Sequence, residues 1–102
     1  MAFQVDWSPE ADEDLEAISE YISRDSGFYA KAVVARIISV TKKLEEHPAL
    51  GRVVPGANNP KIRECLVYNY RIIYRLEDER VLILTIFHGK RLMKRTLAKL
   101  GE

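Results

Sequence analysis

Three short runs of this chain carry residue types that could do chemistry: Lys61-Ile62-Arg63-Glu64, Tyr70-Arg71-Ile72-Ile73-Tyr74-Arg75 and Ile86-Phe87-His88-Gly89-Lys90-Arg91. Each threads arginine through a stretch apolar and short enough to be a strand. A sheet needing only a core and a solvated face would use Thr, Ser or Lys there. The implied partner is anionic, and Lys61, Arg63, Arg71, Arg75, Arg91 and Arg95 are the candidate anion- or target-binding residues. Cutting RNA at such a site requires three things: a deprotonated 2′-hydroxyl, stabilisation of the phosphorane charge and a protonated leaving oxygen. Arginines meet the second need, and His88 is the member of the set suited to acid–base work near neutral pH. A ribonuclease built here would draw on Arg63, Arg71, His88 and Arg91. The plainer readings are arginines that pair with Glu64, Glu77 or Asp78, and a histidine that finishes a strand before Gly89.

The formal net charge of +1 argues against nonspecific coating of nucleic acid, but the charge is unevenly spread. Residues 1–60 hold 6 basic and 10 acidic side chains (net −4), and residues 61–102 hold 10 basic and 5 acidic (net +5). The basic half therefore carries the local anion-facing patch. With 102 residues, 47% hydrophobic and 30% charged, the chain reads as one globular domain over 1–102. The apolar run at 81–87 is too short to span a bilayer and no basic-then-apolar leader opens the chain, so a cytoplasmic protein with no membrane contact is expected. The single Cys65 has no second thiol for a disulfide or a metal cluster, and neither cofactor nor metal is expected.

The elements that must position these residues follow from period and punctuation. Phe3, Val5 and Trp7 alternate with polar residues, which predicts a strand over 2–7. Ser8-Pro9 supplies an N-cap and a first-turn proline for a helix to about Arg24, with Ala11, Leu15, Ile18 and Ile22 on one face. A second helix is predicted from near Phe28 to about Glu46, burying Tyr29, Val33, Ile37, Val40 and Leu44. A proline-rich loop over 47–60 leads to strands over 61–67, 70–76 and 80–87 and to a basic amphipathic helix or tail over 89–100. The order βααβββ gives an α+β fold, a helical hairpin on one face of a mainly antiparallel four-stranded sheet.

Along 70–76, Arg71, Ile73 and Arg75 share one face, and Tyr70, Ile72, Tyr74 and Leu76 share the other. The less polar set should meet the helices. A two-residue turn at Asp78-Glu79 then puts Leu82, Leu84, Ile86 and His88 on the arginine side, an apolar open face suited to a partner segment. Arg63 joins that side if the Tyr68-Asn69 connection is three residues long, and Lys61 follows it.

This ordering resembles the RelE/ParE superfamily of bacterial type II toxin–antitoxin toxins over nearly the whole chain. Lys61 and Arg63 resemble that superfamily's second-strand basic pair, Arg71 its central arginine and Arg91 its late arginine. The ribonuclease branch carries a C-terminal tyrosine where Leu97 stands here, and Gly89 follows His88 where another subgroup has tyrosine. The run Arg-Glu…Tyr-Arg-Ile-Ile-Tyr-Arg, with Trp7-Ser8-Pro9, is more similar to the ParE-like, plasmid-stabilisation branch. That resemblance implies a protein that inhibits growth by binding DNA gyrase. It also implies a cognate antitoxin as partner, in a hetero-oligomer with this chain, and the open face of Leu82, Leu84 and Ile86 read from the register is the candidate partner-binding surface. The alternative it implies is a ribosome-dependent mRNA endonuclease, and a further one a non-toxic homologue that only binds the antitoxin.

Overall fold

The computed structural model describes residues 2–89 and 93–101. The chain runs β1 (Gln4–Trp7), α1 (Pro9–Ser23), α2 (Gly27–Lys43), β2 (Arg52–Val53), β3 (Ile62–Val67), β4 (Tyr70–Leu76), β5 (Arg80–His88) and α3 (Met93–Lys99). The strands form one sheet in the order β1-β5-β4-β3-β2, with β1 parallel to β5 and the other neighbours antiparallel. The α+β class is as predicted. The fifth strand, β2, is a two-residue pairing inside the 47–60 loop, too short for any periodicity to announce it.

Both long helices start where a serine caps them. The Ser8 hydroxyl accepts from the Ala11 amide and the Ser26 hydroxyl from the Tyr29 amide, each at 3.0 Å. The α2 stripe runs Ala30, Val33, Ile37, Val40 and Leu44. Tyr29, predicted to be buried, is 51% exposed, because Ala30 keeps the three-and-four spacing and Tyr29 lies one position off it. Ile72, Tyr74, Val81, Ile83 and Ile86 meet this stripe from the sheet and complete the main core.

The other face of the sheet is not open. Val54, Ile62, Ile73, Leu84, Phe87 and Leu97 form a second buried cluster, in which Leu97 of α3 closes over the strands. The predicted apolar face is thus covered by the chain's own last helix, and Leu84 is 7% exposed. The predicted facing of β5 is also corrected. Ile73 pairs with Thr85 and Tyr74 with Ile83, so Leu84 is an extra residue and the alternation flips beyond it. Ile86 therefore packs with Ile72 under the helices, His88 sits opposite Tyr70, and Phe87 comes to the arginine side. Distant residues hold the bulge. The Ser8 hydroxyl donates to the Leu84 carbonyl (2.8 Å), while Asp14 accepts from the Thr85 hydroxyl (2.6 Å) and the Ile86 amide (3.0 Å).

Candidate functional site

The β3–β4 turn decides which basic residues meet. Val67 pairs with Tyr70, so the connection is the two residues Tyr68 and Asn69, with Tyr68 in the left-handed region at φ 54°. This register puts Ile62, Glu64 and Leu66 on the Arg71 face and Arg63 and Cys65 on the helix side. The three-residue loop that would have brought Lys61 and Arg63 to Arg71 is absent.

Glu64 becomes the centre of the site. Its side chain is fully buried. Oε1 accepts from Arg71 Nε and Nη2, both at 2.6 Å, and Oε2 accepts from Arg52 Nε at 2.7 Å. A carboxylate this deep is tolerated because charged donors replace its water. Two guanidiniums on one carboxylate leave a local charge of +1, and both arginines line a groove of about 410 Å³ with Leu66, Tyr68, Asn69, His88 and Gly89. Arg71 also lies 5.8 Å above the Phe87 ring, a cation–π contact that adds to its fixed position.

A second clamp aims Arg52. The Tyr74 hydroxyl accepts from the Gly51 amide (2.9 Å) and donates to the Pro48 carbonyl (2.8 Å), while Arg63 Nη1 donates to the Gly51 carbonyl (2.7 Å) and the Ala49 carbonyl (3.4 Å). Position 51 must be glycine for this approach, since a Cβ there would sit 2.5 Å from the Glu64 carbonyl oxygen. Burial pushes the Tyr74 hydroxyl up to about 12, the Gly51 amide offsetting only part of it, so the phenol stays neutral. Burial first, and the Glu64 carboxylate second, push the Cys65 thiol up to about 11.

The remaining predicted residues disperse. Arg75 pairs with Glu77 (2.9 Å), Lys61 is exposed at the start of β3, and Arg95 is exposed on α3. Arg91 lies outside the described residues. Leu82 is half-buried beside the second cluster, and Ile86 lies in the main core. His88 is exposed and meets the Tyr70 ring edge-on at 5.7 Å. Burial, and then Tyr21 and Tyr29, raise the Tyr70 hydroxyl, so it holds its proton at neutral pH. Among the described residues no group of three or more His, Cys, Asp or Glu could hold a metal ion. The site can fix an anion at Arg52 and Arg71, and His88 is the imidazole that lines it.

The plainer reading of arginines paired with Glu64 or Glu77 holds for Arg71 and Arg75, while sequence reasoning missed Arg52 and the bridging of two arginines by Glu64. A signal for the second existed. With a two-residue turn at 68–69, Glu64 falls diagonally across from Arg71 on one face, within reach of a long side chain.

This architecture is shared. A ParDE toxin–antitoxin structure from P. aeruginosa superposes with a TM-score of 0.74 at 22% identity, covering 87% of this chain and 98% of that one. An archaeal RelE–RelB complex from Pyrococcus horikoshii gives 0.65 at 18% identity, covering 90% and 100%. The fold class is that of the RelE/ParE toxins. Residues 5–93 match the family described as ParE toxin of type II toxin-antitoxin system, parDE. Toxin RelE2 of Caulobacter vibrioides is 34% identical over 90 residues, 87% of this chain and 98% of that protein. The chain belongs to the ParE toxin family, within the ParE/RelE superfamily of type II toxin–antitoxin toxins.

Proposed function

We propose that this chain arrests growth by binding DNA gyrase in the cytoplasm, as a single toxin domain neutralised by a separate cognate antitoxin. The family match over residues 5–93 carries this reading, and the chemistry of the groove supports it. A nuclease needs a positioned acid and base, a pair commonly contributing about 10²–10⁴ in rate. Here Glu64, occupied by two arginines, and Tyr70, which holds its proton, are poor bases, and the described groove lining sets no carboxylate beside His88 to act with it. The antitoxin is supported by the archaeal structural neighbour, itself a toxin–antitoxin complex.

A second reading, a ribosome-dependent mRNA endonuclease, is favoured by Arg71 and His88 lining one groove and by the likeness to Toxin RelE2. Induction of the wild type and of His88→Ala separates the two. Gyrase binding predicts DNA breaks, intact mRNA and growth arrest that survives His88→Ala, while Arg95→Ala on the exposed side of α3 weakens it. Ribosome-dependent mRNA cuts that vanish in His88→Ala would reverse the assignment.

A further inference from the structure

The two long helices divide charge completely: α1 carries six acidic side chains and no basic one, and α2 four basic side chains and no acidic one. The fold itself uses only part of this. Glu10 pairs with Lys99, Asp14 holds the β5 bulge, and Arg36 and Lys43 line a cavity between α2 and the sheet. Asp12, Glu16 and Glu20 on α1, with Lys31 and Lys42 on α2, are exposed and make no ion pair among the described residues. Between these charges the outer surface of the hairpin has two hollows. In one, of about 320 Å³, Leu15 and Val34 lie with Asp12, Glu16 and Glu20; in the other, of about 690 Å³, Ala35 and Ile38 lie with Lys42, and Glu45 and Glu46 edge it beyond the helix end. Ile38 is 48% exposed.

We propose that two copies of this chain meet here, hairpin against hairpin, about a two-fold axis that runs along the helices. That rotation lays α1 of each copy over α2 of the other, acid over base, whereas an axis across the helices would lay α1 over α1 and set like charges together. The rotation also keeps each residue at its own height along the hairpin. Glu16 and Val34 share a hollow and so stand at about one height. Because the helices run antiparallel, Glu20 is then level with Lys31, and Asp12 with Ile38, one turn short of Lys42. Glu20 of one copy faces Lys31 of the other, twice. An outside partner would have to present a basic ridge beside an acidic one at this spacing, and a second copy does so by symmetry. Helices of 15 and 17 residues are about 22–26 Å long, and two abreast cover roughly 500 Å² per copy. A total of roughly 1,000 Å² lies at the lower limit for a specific interface, so the dimer is weak and concentration-dependent.

Sedimentation equilibrium of the full chain alone tests this, and the result does not depend on whether the chain is toxic or what it targets. Low salt should show a monomer–dimer equilibrium with a dissociation constant of about 1–100 µM. Raising salt to about 1 M, where the screening length falls to about 3 Å, should weaken it. Glu20→Lys and, separately, Lys31→Glu should each raise the dissociation constant at least about 10-fold, since each contact occurs twice about the axis. Combining them should restore the dimer to within about 3-fold of wild type, because the exchanged charges still face one another. Ile38→Asp, which sets a carboxylate level with Asp12 of the other copy, should also weaken it. Asp78→Lys, exposed in the β4–β5 turn, is the control and should change nothing. Melting curves check that every variant is folded. A wild-type chain that stays monomeric to about 300 µM, well above the range expected for the dimer, would overturn the proposal. So would a folded Glu20→Lys/Lys31→Glu chain that dimerises no better than either single variant, or an assembly that grows past two copies, as head-to-tail contact would give. Single substitutions that spare self-association but weaken binding of the antitoxin encoded beside this chain would also overturn it, and would assign the face to that partner.

Discussion

Replacing Glu64 by alanine would strand the Arg71 guanidinium, whose side chain is only 17% exposed, against a cavity with no counter-charge. Removing one partner of a buried pair costs about 3–5 kcal/mol. The two arginines should not share that loss equally. Arg71 donates twice to Oε1 from a nearly dry position, whereas Arg52 donates once and is 63% exposed, where ion pairs are worth about 0–1 kcal/mol. Urea unfolding of Glu64→Ala, Arg71→Ala, Arg52→Ala and the two double variants gives both coupling energies. The expected values are roughly 2 kcal/mol or more for Glu64 with Arg71 and below about 1 kcal/mol for Glu64 with Arg52. Glu64→Ala itself should lower Tm by roughly 12–24 °C for a 3 kcal/mol loss in a chain this small. If Glu64→Ala unfolds within about 0.5 kcal/mol of wild type, or if the Arg52 coupling equals that of Arg71, the carboxylate does not organise the groove.

Gly51→Ala should cost roughly 1–3 kcal/mol, read by the same unfolding curve, because its Cβ would displace the Glu64 carbonyl and loosen the Arg52 loop. Stability should also fall in alkali. Cys65 and Tyr74 have folded pKa values of about 11 and about 12, above the ordinary thiol and phenol values. Both groups therefore favour the folded state fully below about pH 9, and that contribution drains away as pH climbs through 11 and 12. Melting temperatures between pH 8 and 12 should show the decline, with Tyr74→Phe removing its upper part.

What was legible in the sequence was whatever local chemistry determines. Ser8-Pro9 marked the first helix, and the alternation over 70–76 placed Ile72 and Tyr74 under the helices with Arg71 opposite. The failures have a common cause, contact between residues far apart in the chain. The extra residue at Leu84 is held by Ser8 and Asp14, more than seventy positions upstream, and no periodicity within β5 reveals it. One unseen residue sufficed to exchange Ile86 and Phe87 between the faces. Arg63 went astray because its side depended on the length of a turn, and Arg52 because its two-residue strand exists only through pairing with Arg63 and Glu64.

The pairing of β1 with the first half of β5 has a consequence for synthesis. Gln4 to Trp7 must wait for Arg80 to Ile83, and the helical stripe ending near Leu44 must wait for Ile72 to Ile86. At about 5–20 residues per second, the finished hairpin would precede its sheet by roughly 2–8 s. During that interval its apolar face has no strand to lie on, and Arg71 and Glu64 are only beginning to emerge. The nascent chain thus cannot close its main core until β5 has been made.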